Sequence, residues 1–300
     1  MRYLVTVILF SFMNVANAQQ RAMFTQYMFN GLAINPAYSS VDDALSFTGV
    51  YRQQWTGFDG APNTQSFSVH SPLKSSHTSV GFMLIRDHIG EVITETGTLV
   101  SISQRVKLDD DTYLAAGLVG GLSAYKANYS SLYDPISGSD PLFEDQSDSQ
   151  LDLGFGLMWF TKDFYVGFSS PFFISKNIKG TGDGVNNRAH FLLTGGYILP
   201  LGETLKLKPY GLVKYVNGSP LQIDLNASLL IAETLWLGAS WRSFDSVDAI
   251  AQIELTENVQ IGYSYDFTTS ALTKTNKGSH EFMLKYRLPV KGLNFPKCYF

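Results

Sequence analysis

The chain has 300 residues, 22 Lys+Arg against 26 Asp+Glu, 14% aromatic and 16% charged residues, 26 glycines and one cysteine. A net charge of −4 argues against nucleic acid as a partner, which needs a basic face, and a single cysteine excludes an internal disulfide. A secreted soluble domain usually carries more charge than this.

Residues 1–18, MRYLVTVILFSFMNVANA, read as a secretory leader. Arg2 gives a positive start, Leu4–Phe12 a short apolar run, and Ala16-Asn17-Ala18 a small-x-small cleavage site. The mature chain is then expected to start at Gln19. The apolar run is too short for a membrane helix, and no run of 18 apolar residues follows it, so helical spans are excluded.

Residues 19–44 do not alternate. They contain MFTQYMFN and INPAY, where Pro36 holds Asn35 extended or in a turn. This stretch is expected to be an ordered periplasmic or lumen-plugging segment.

From Leu45 to Leu288 the chain alternates between apolar and polar residues, the period of a strand with two unlike faces. In VQIGYSYDF (259–267), Val259, Ile261, Tyr263, Tyr265 and Phe267 share one parity, and Gln260, Gly262, Ser264 and Asp266 the other. About fourteen strands are predicted: 45–55, 62–72, 77–87, 95–106, 111–125, 150–160, 164–171, 188–199, 204–216, 220–231, 234–243, 247–256, 258–267 and 279–288. Every second connection is short and polar. The others are mostly longer, at 56–61, 88–94, 126–149, 172–187 and 268–278, and the 126–149 loop is long and acidic. Short turns on one side and long loops on the other are the habit of outer-membrane barrels, and an even strand count places both barrel ends in the periplasm. Residues 289–300, with Cys298, form a C-terminal tail.

Parity assigns the faces. Leu151, Leu153, Phe155, Leu157 and Trp159 face lipid, while Asp152, Gly154 and Gly156 face in. Leu235, Leu237, Ala239 and Trp241 face out against Trp236, Gly238, Ser240 and Arg242. Phe282, Leu284, Tyr286 and Leu288 face out against Glu281, Lys285 and Arg287. Arg52, His70, Arg105, Asp224 and Glu254 also point inward. A lipid-facing Arg or Lys costs roughly 2–4 kcal/mol at the bilayer midplane, so their shared inward parity supports a barrel over a soluble sandwich. The charges Arg52, Arg105, Asp152, Asp224, Arg242, Glu254, Glu281 and Arg287 fit either a solute path or a salt-bridged lumen. On this register Leu284→Arg should impair assembly and Met283→Arg, facing in, should be milder.

Little points to catalysis. His70, His77, His88, His190 and His280 are scattered, and no HExxH, CxxC, GxSxG or P-loop pattern occurs. Nothing marks a lipase-like trio around His190 and Asp152. No metal or cofactor is expected.

Several blocks are recognisable together. FTQYMFNGLAINPAYSS, YRQQWTGFDGAPNTQSFSVHSPL and RDHIG are followed by YVGFSSPFF, GYILPL, LKLKPYGLVKYVNGSPLQIDLN, LWLGASWR, GYSYDF and GSHEF. In this order they resemble the PorP/SprF family of type IX secretion system membrane proteins, from about residue 24 onward. The Asn35-Pro36-Ala37-Tyr38 and Arg52-Gln53-Gln54-Trp55 blocks are the specific ones, and Gly31 stands where proline is expected. The resemblance implies an outer-membrane barrel of a Bacteroidota-type bacterium. It also implies work with the type IX secretion and gliding machinery, with periplasmic ring lipoproteins and with large surface adhesins that carry a C-terminal sorting domain. The expected reading is therefore an all-β outer-membrane antiparallel barrel, non-enzymatic, with a solute channel of FadL or porin type as the alternative. Tyr27, Asn35, Pro36, Tyr38, Trp55 and Phe58 form its candidate partner or plug surface.

Overall fold

The structure, a computed structural model, describes residues 23–73, 77–132, 144–179 and 188–290. The expected leader, residues 133–143 of the acidic 126–149 loop and the tail with Cys298 lie outside the described residues. Fifteen strands follow in order: β1 (Ala44–Gln53), β2 (Asn63–Pro72), β3 (Thr78–Ile89), β4 (Ile93–Asp109), β5 (Thr112–Ala127), β6 (Gln146–Phe160), β7 (Phe164–Lys179), β8 (His190–Tyr197), β9 (Leu199–Pro200), β10 (Leu205–Val216), β11 (Gln222–Ile231), β12 (Leu235–Arg242), β13 (Ser246–Glu254), β14 (Val259–Thr268) and β15 (Ser279–Pro289). Each pairs antiparallel with its sequence neighbours, save that two-residue β9 is a side piece on β10. β15 closes on β1 through a register running from Ala44↔Pro289 to Gln53↔His280. The result is a closed 14-strand barrel with one extra short strand. Closure satisfies every edge, which a sheet in lipid requires.

All fourteen predicted strands are present. The 188–199 segment is interrupted at Ile198, whose buried N–H donates to the Asp163 carbonyl (2.7 Å) beside the short turn. β4 to β7 are longer than expected, with 15–17 residues where about 9–11 cross a bilayer. β7 was expected to stop at Pro171. Instead a bulge between the Leu153 and Phe155 pairings absorbs that proline and the strand continues to Lys179. The 88–94 loop accordingly shrinks to a turn at Gly90, whose φ of 64° suits glycine. The long strands raise a wall beyond the membrane on the long-loop side.

The parity assignments hold. Leu284 is 55% exposed and its neighbour Met283 3%, as a strand with lipid on one side and packing on the other demands. Rings of Phe155, Phe168, Phe173, Phe191 and Tyr215 follow one another across the outer face of β6, β7, β8 and β10, with centroids 5.4–6.4 Å apart. On the short-turn side Trp159 meets Phe164 edge-on at 4.8 Å. Outward aromatic residues of this kind are the material of the interfacial belts of outer-membrane barrels. No helix of the described residues is long and apolar enough to cross a membrane.

Candidate functional site

Residues 24–42 fill the barrel. Three short 3-10 turns, Tyr27–Phe29, Gly31–Ala33 and Pro36–Ser40, pack Phe24, Tyr27, Met28, Phe29, Leu32, Ile34 and Tyr38 into one cluster with inward residues of the wall. A lone strand would leave its backbone groups unpaired here, whereas compact turns satisfy many of them internally.

The segment runs from the long-loop mouth to the short-turn mouth. At the outer end the Thr25 and Gln26 N–H groups donate to the two Glu281 carboxylate oxygens (2.8 Å each), and the Thr25 hydroxyl donates to Asp266 (2.8 Å). Arg52 lies 2.7 Å from Asp266 and 3.3 Å from Glu281. Arg242 bonds Asp224 at 3.0 Å and Asp245 at 3.4 Å, and reaches the Phe24 carbonyl. Midway, Asn226 donates to the Tyr27 hydroxyl (3.0 Å), Ser68 to Asn30 (3.0 Å) and Lys285 to the Phe29 carbonyl (3.3 Å). Buried Lys208 sits 4.8 Å from the Phe29 ring centre, with Tyr210 and Trp236 on its other sides, a cation–π seat for the segment.

At the inner end Arg105 donates to the Ser40 carbonyl (3.0 Å) and pairs with Asp43 (2.7 Å), while Arg287 grips both oxygens of Asp42 at 2.6 and 2.9 Å. Burial is the largest influence on the Asp42 carboxyl and pushes its pKa up. The Arg287 hydrogen bond and charge, with Lys285 and His70 behind them, outweigh it and hold the group at about 2.

The sequence-selected residues separate into groups. Tyr27, Asn35, Pro36 and Tyr38 are buried inside the barrel. Asn35 caps the Pro36–Ser40 turn by accepting the Ala37 N–H (2.9 Å) and donates to the Leu157 carbonyl (3.0 Å). Gly31 lies against the Tyr38 ring, which would stand 2.2 Å from a Cβ there, so proline at this place would displace the ring. Trp55 and Phe58 sit apart from them in the β1–β2 loop. Trp55 has φ of 43° and its N–H donates to Ser279 (3.2 Å), and Phe58 is 48% exposed. The charges also divide. Arg52, Asp224, Arg242 and Glu281 make the outer cluster, and Arg105 and Arg287 the inner one. Asp152 accepts from Ser123 and Ser175 in the β4–β7 wall. Glu254 is half-buried at the end of β13. Thr25, Gln26, Asp42, Asp43, Asp266 and Lys208 complete the clusters. Of these Asp266 and Lys208 carried a sequence signal, their inward parity on predicted strands.

The comparisons agree with this geometry. The family model described as "Type IX secretion system membrane protein PorP/SprF" matches residues 16–286. The chain belongs to the PorP/SprF family. It is thus a type IX secretion component of the outer membrane of a Gram-negative bacterium. No curated protein matches it significantly. Among solved structures it is similar to the CymD monoaromatic hydrocarbon channel, with 10% identity, TM-score 0.50, 87% of this chain and 92% of the other covered. It is also similar to the Ralstonia pickettii toluene transporter TbuX, with 6% identity, TM-score 0.50 and 86% and 93% covered. A Pseudomonas aeruginosa FadL homologue follows at 11% identity, TM-score 0.45 and 86% and 93% covered. At such identities the likeness concerns the fold alone.

Proposed function

We propose that this barrel is a non-enzymatic accessory of type IX secretion that supports the secretion or surface anchoring of large adhesin-type cargo. Its partners on this reading are the secretion machinery, the periplasmic ring lipoproteins and an adhesin carrying a C-terminal sorting domain. The observation that carries it is the filled lumen. Residues 24–42 are fastened at both mouths and packed along the whole passage, so the surfaces left for partners are the two mouths and the wall of β4 to β7. Trp55 and Phe58 at the outer mouth supply aromatic contact area suited to a protein partner.

The test is a strain lacking this chain, complemented by the parent or by a Trp55→Ala/Phe58→Ala variant. Adhesin on intact cells is read by antibody, and ion conductance by planar bilayers. Loss of display without the chain, restored by a parent that conducts no ions, is expected. Intact display in the deletion strain, or steady conductance by the parent, would favour the solute channel instead.

A further inference from the structure

Two aromatic residues at the long-loop mouth hold backbone conformations that their side chains disfavour. Among the described residues, four non-glycine residues have φ in the left-handed region: Trp55 (43°), Ala232 (51°), Glu233 (55°) and Phe244 (65°). Ala232 and Glu233 are the central pair of a tight hairpin turn closed by the Thr234 N–H on the Ile231 carbonyl (3.0 Å), and such a turn calls for positive φ at both. Trp55 and Phe244 belong to no such pair. For a bulky residue this region is a genuine outlier, and outliers of this kind gather at sites that bind or switch. Phe244 is 78% exposed, so packing within its own chain does little to offset the cost.

Both residues line one vestibule of about 480 Å³. That is the size of a ligand site, where roughly 300–1,000 Å³ is usual. Arg52 and Arg242 also line it, but buried acids already match them, Asp266 and Glu281 for Arg52 and Asp224 for Arg242. Asp87 and Asp245 complete the polar part of the lining. Asp87 accepts the Thr64 hydroxyl (2.6 Å) and makes no ion pair among the described residues. Half-exposed Asp245 shares Arg242 at the longer distance of 3.4 Å. The vestibule therefore presents aromatic side chains together with negative charge that is only partly compensated. Beneath it residues 24–42 pack the lumen, so a solute entering here meets a closed passage.

We propose that this vestibule is a docking socket for an extracellular polypeptide segment that carries an apolar residue beside a Lys or Arg. The apolar side chain lies against Trp55 and Phe244. The basic side chain runs its stem along the same rings and turns its charged head to Asp87 and Asp245, where cation–π attraction and opposite charge act together. An acidic segment is refused by the same two carboxylates. The proposal rests on the outer mouth being a partner surface, and it adds the chemistry that the partner must carry.

The test uses the full-length protein in detergent and the probe peptide acetyl-Gly-Phe-Arg-Gly-amide, titrated by saturation-transfer NMR beside its Glu-for-Arg counterpart. The parent should bind the Arg peptide several-fold more tightly than the Glu peptide. Phe244→Gly, with Phe244→Asn as a second variant, suits the left-handed turn. Both should melt no lower than the parent on gels, yet bind the Arg peptide several-fold more weakly. Asp87→Asn should narrow the preference for Arg over Glu. Ala232→Gly, a like substitution in the turn at the opposite mouth, should bind as the parent does. Equal binding of the two peptides, parental affinity in both Phe244 variants, or loss of binding in Ala232→Gly overturns the proposal. Tighter binding of toluene than of the Arg peptide overturns it as well, in favour of a solute seat. No cell or adhesin enters the assay, so failure here beside lost display in the deletion strain removes the socket and leaves the accessory role standing.

Discussion

Gly117→Ala together with Gly156→Ala should expel the luminal segment while sparing the wall. Both glycines lie on inward strand positions where the Asn35–Ala37 stretch passes. A Cβ at Gly117 would stand 2.6 Å from the Ala37 nitrogen and 2.7 Å from the Pro36 carbonyl carbon, and one at Gly156 would stand 2.0 Å from the Asn35 side-chain oxygen. At Gly117 the obstacle is backbone, which cannot swing aside as a side-chain tip can, and at Gly156 the rigid Pro36 ring stands 2.8 Å away beside Asn35, so the segment must retreat by the better part of an ångström. Overpacking of this kind costs about 1–3 kcal/mol per site. The retreat also breaks the Asn35 bonds to Ala37 and Leu157, at about 1 kcal/mol each. Two such sites together loosen the segment against a wall whose ladder of hydrogen bonds is untouched. The double variant should remain heat-modifiable on gels, conduct ions in planar bilayers, and release residues 23–42 to protease. Gly49→Ala, with nothing within 4 Å of its Cβ on the lipid side, serves as control and should match the parent. A silent double variant, as protease-resistant as the parent, would refute the close approach of Asn35–Ala37 to these strands.

Other perturbations have equally definite outcomes. Leu284→Arg places a charge in lipid at roughly 2–4 kcal/mol and should lower assembly yield in lipid vesicles. Met283→Arg, expected from the sequence to be milder, enters a packed interior at a site 3% exposed and should be at least as damaging, so near-parental assembly of Met283→Arg would show the lumen to be open there. Asp42→Asn should cost about 2 kcal/mol at neutral pH, from the depressed carboxyl pKa. Because the folded value lies below the unfolded one, this contribution is complete above about pH 4 and is lost as pH falls towards 2. Gel-shift melting of parent and variant should therefore converge over that window, and a gap that stays constant with pH would contradict the Arg287–Asp42 pairing. Asn35→Ala should lower the melting temperature of the luminal segment, followed by hydrogen exchange, while barrel amides stay protected.

Most of the wall was legible because a strand in lipid has no latitude. Lipid-facing Leu, Phe, Trp and Tyr alternate with Ser, Gly and charged residues, and a single slip of register would exchange those faces. What the sequence concealed were departures from plain alternation. Pro171 looked like a strand end because proline cannot serve a continuous ladder, yet a bulge carries β7 past it. The extensions of β4 and β6 bear Thr94, Ser147 and Ser149 on their outer face, polar residues that resemble loop once the strand has left the lipid. The charges were placed on the correct face by parity, but their partners were not readable. Arg52 meets Glu281 because β1 closes on β15, and Arg287 meets Asp42 because the chain doubles back through the lumen. Sequence distance carries no trace of either pairing.

The luminal segment itself left a fainter mark than the wall. A 26-residue stretch (19–44) without period two, holding Phe, Tyr, Met and Leu, was compatible with a periplasmic arm as well as a filling. The discriminating sign lay in the strands around it, at inward glycines. Gly117, Gly156 and Gly167 bring the wall backbone close to Asn35, Pro36 and Ala37, and Gly262 does the same for Gln26. A water-filled channel has no need of missing side chains on its inner face. A lumen packed at the density of a protein interior needs them wherever a second backbone passes close by. Read with the apolar residues of 24–38, glycines of inward parity on β5, β6, β7 and β14 locate a chain running the length of the barrel. The same reasoning explains why the outer clusters contain so many carboxylates. Glu281 and Asp266 accept the N–H and hydroxyl donors of Thr25 and Gln26, which the first turn leaves without backbone partners. Arg52 then bridges the two acids and offsets part of their charge. Arg52, Arg105, Arg242, Glu281 and Arg287, whose inward parity alone could have suggested an ion path, are in the folded barrel the fastenings of the segment that fills it.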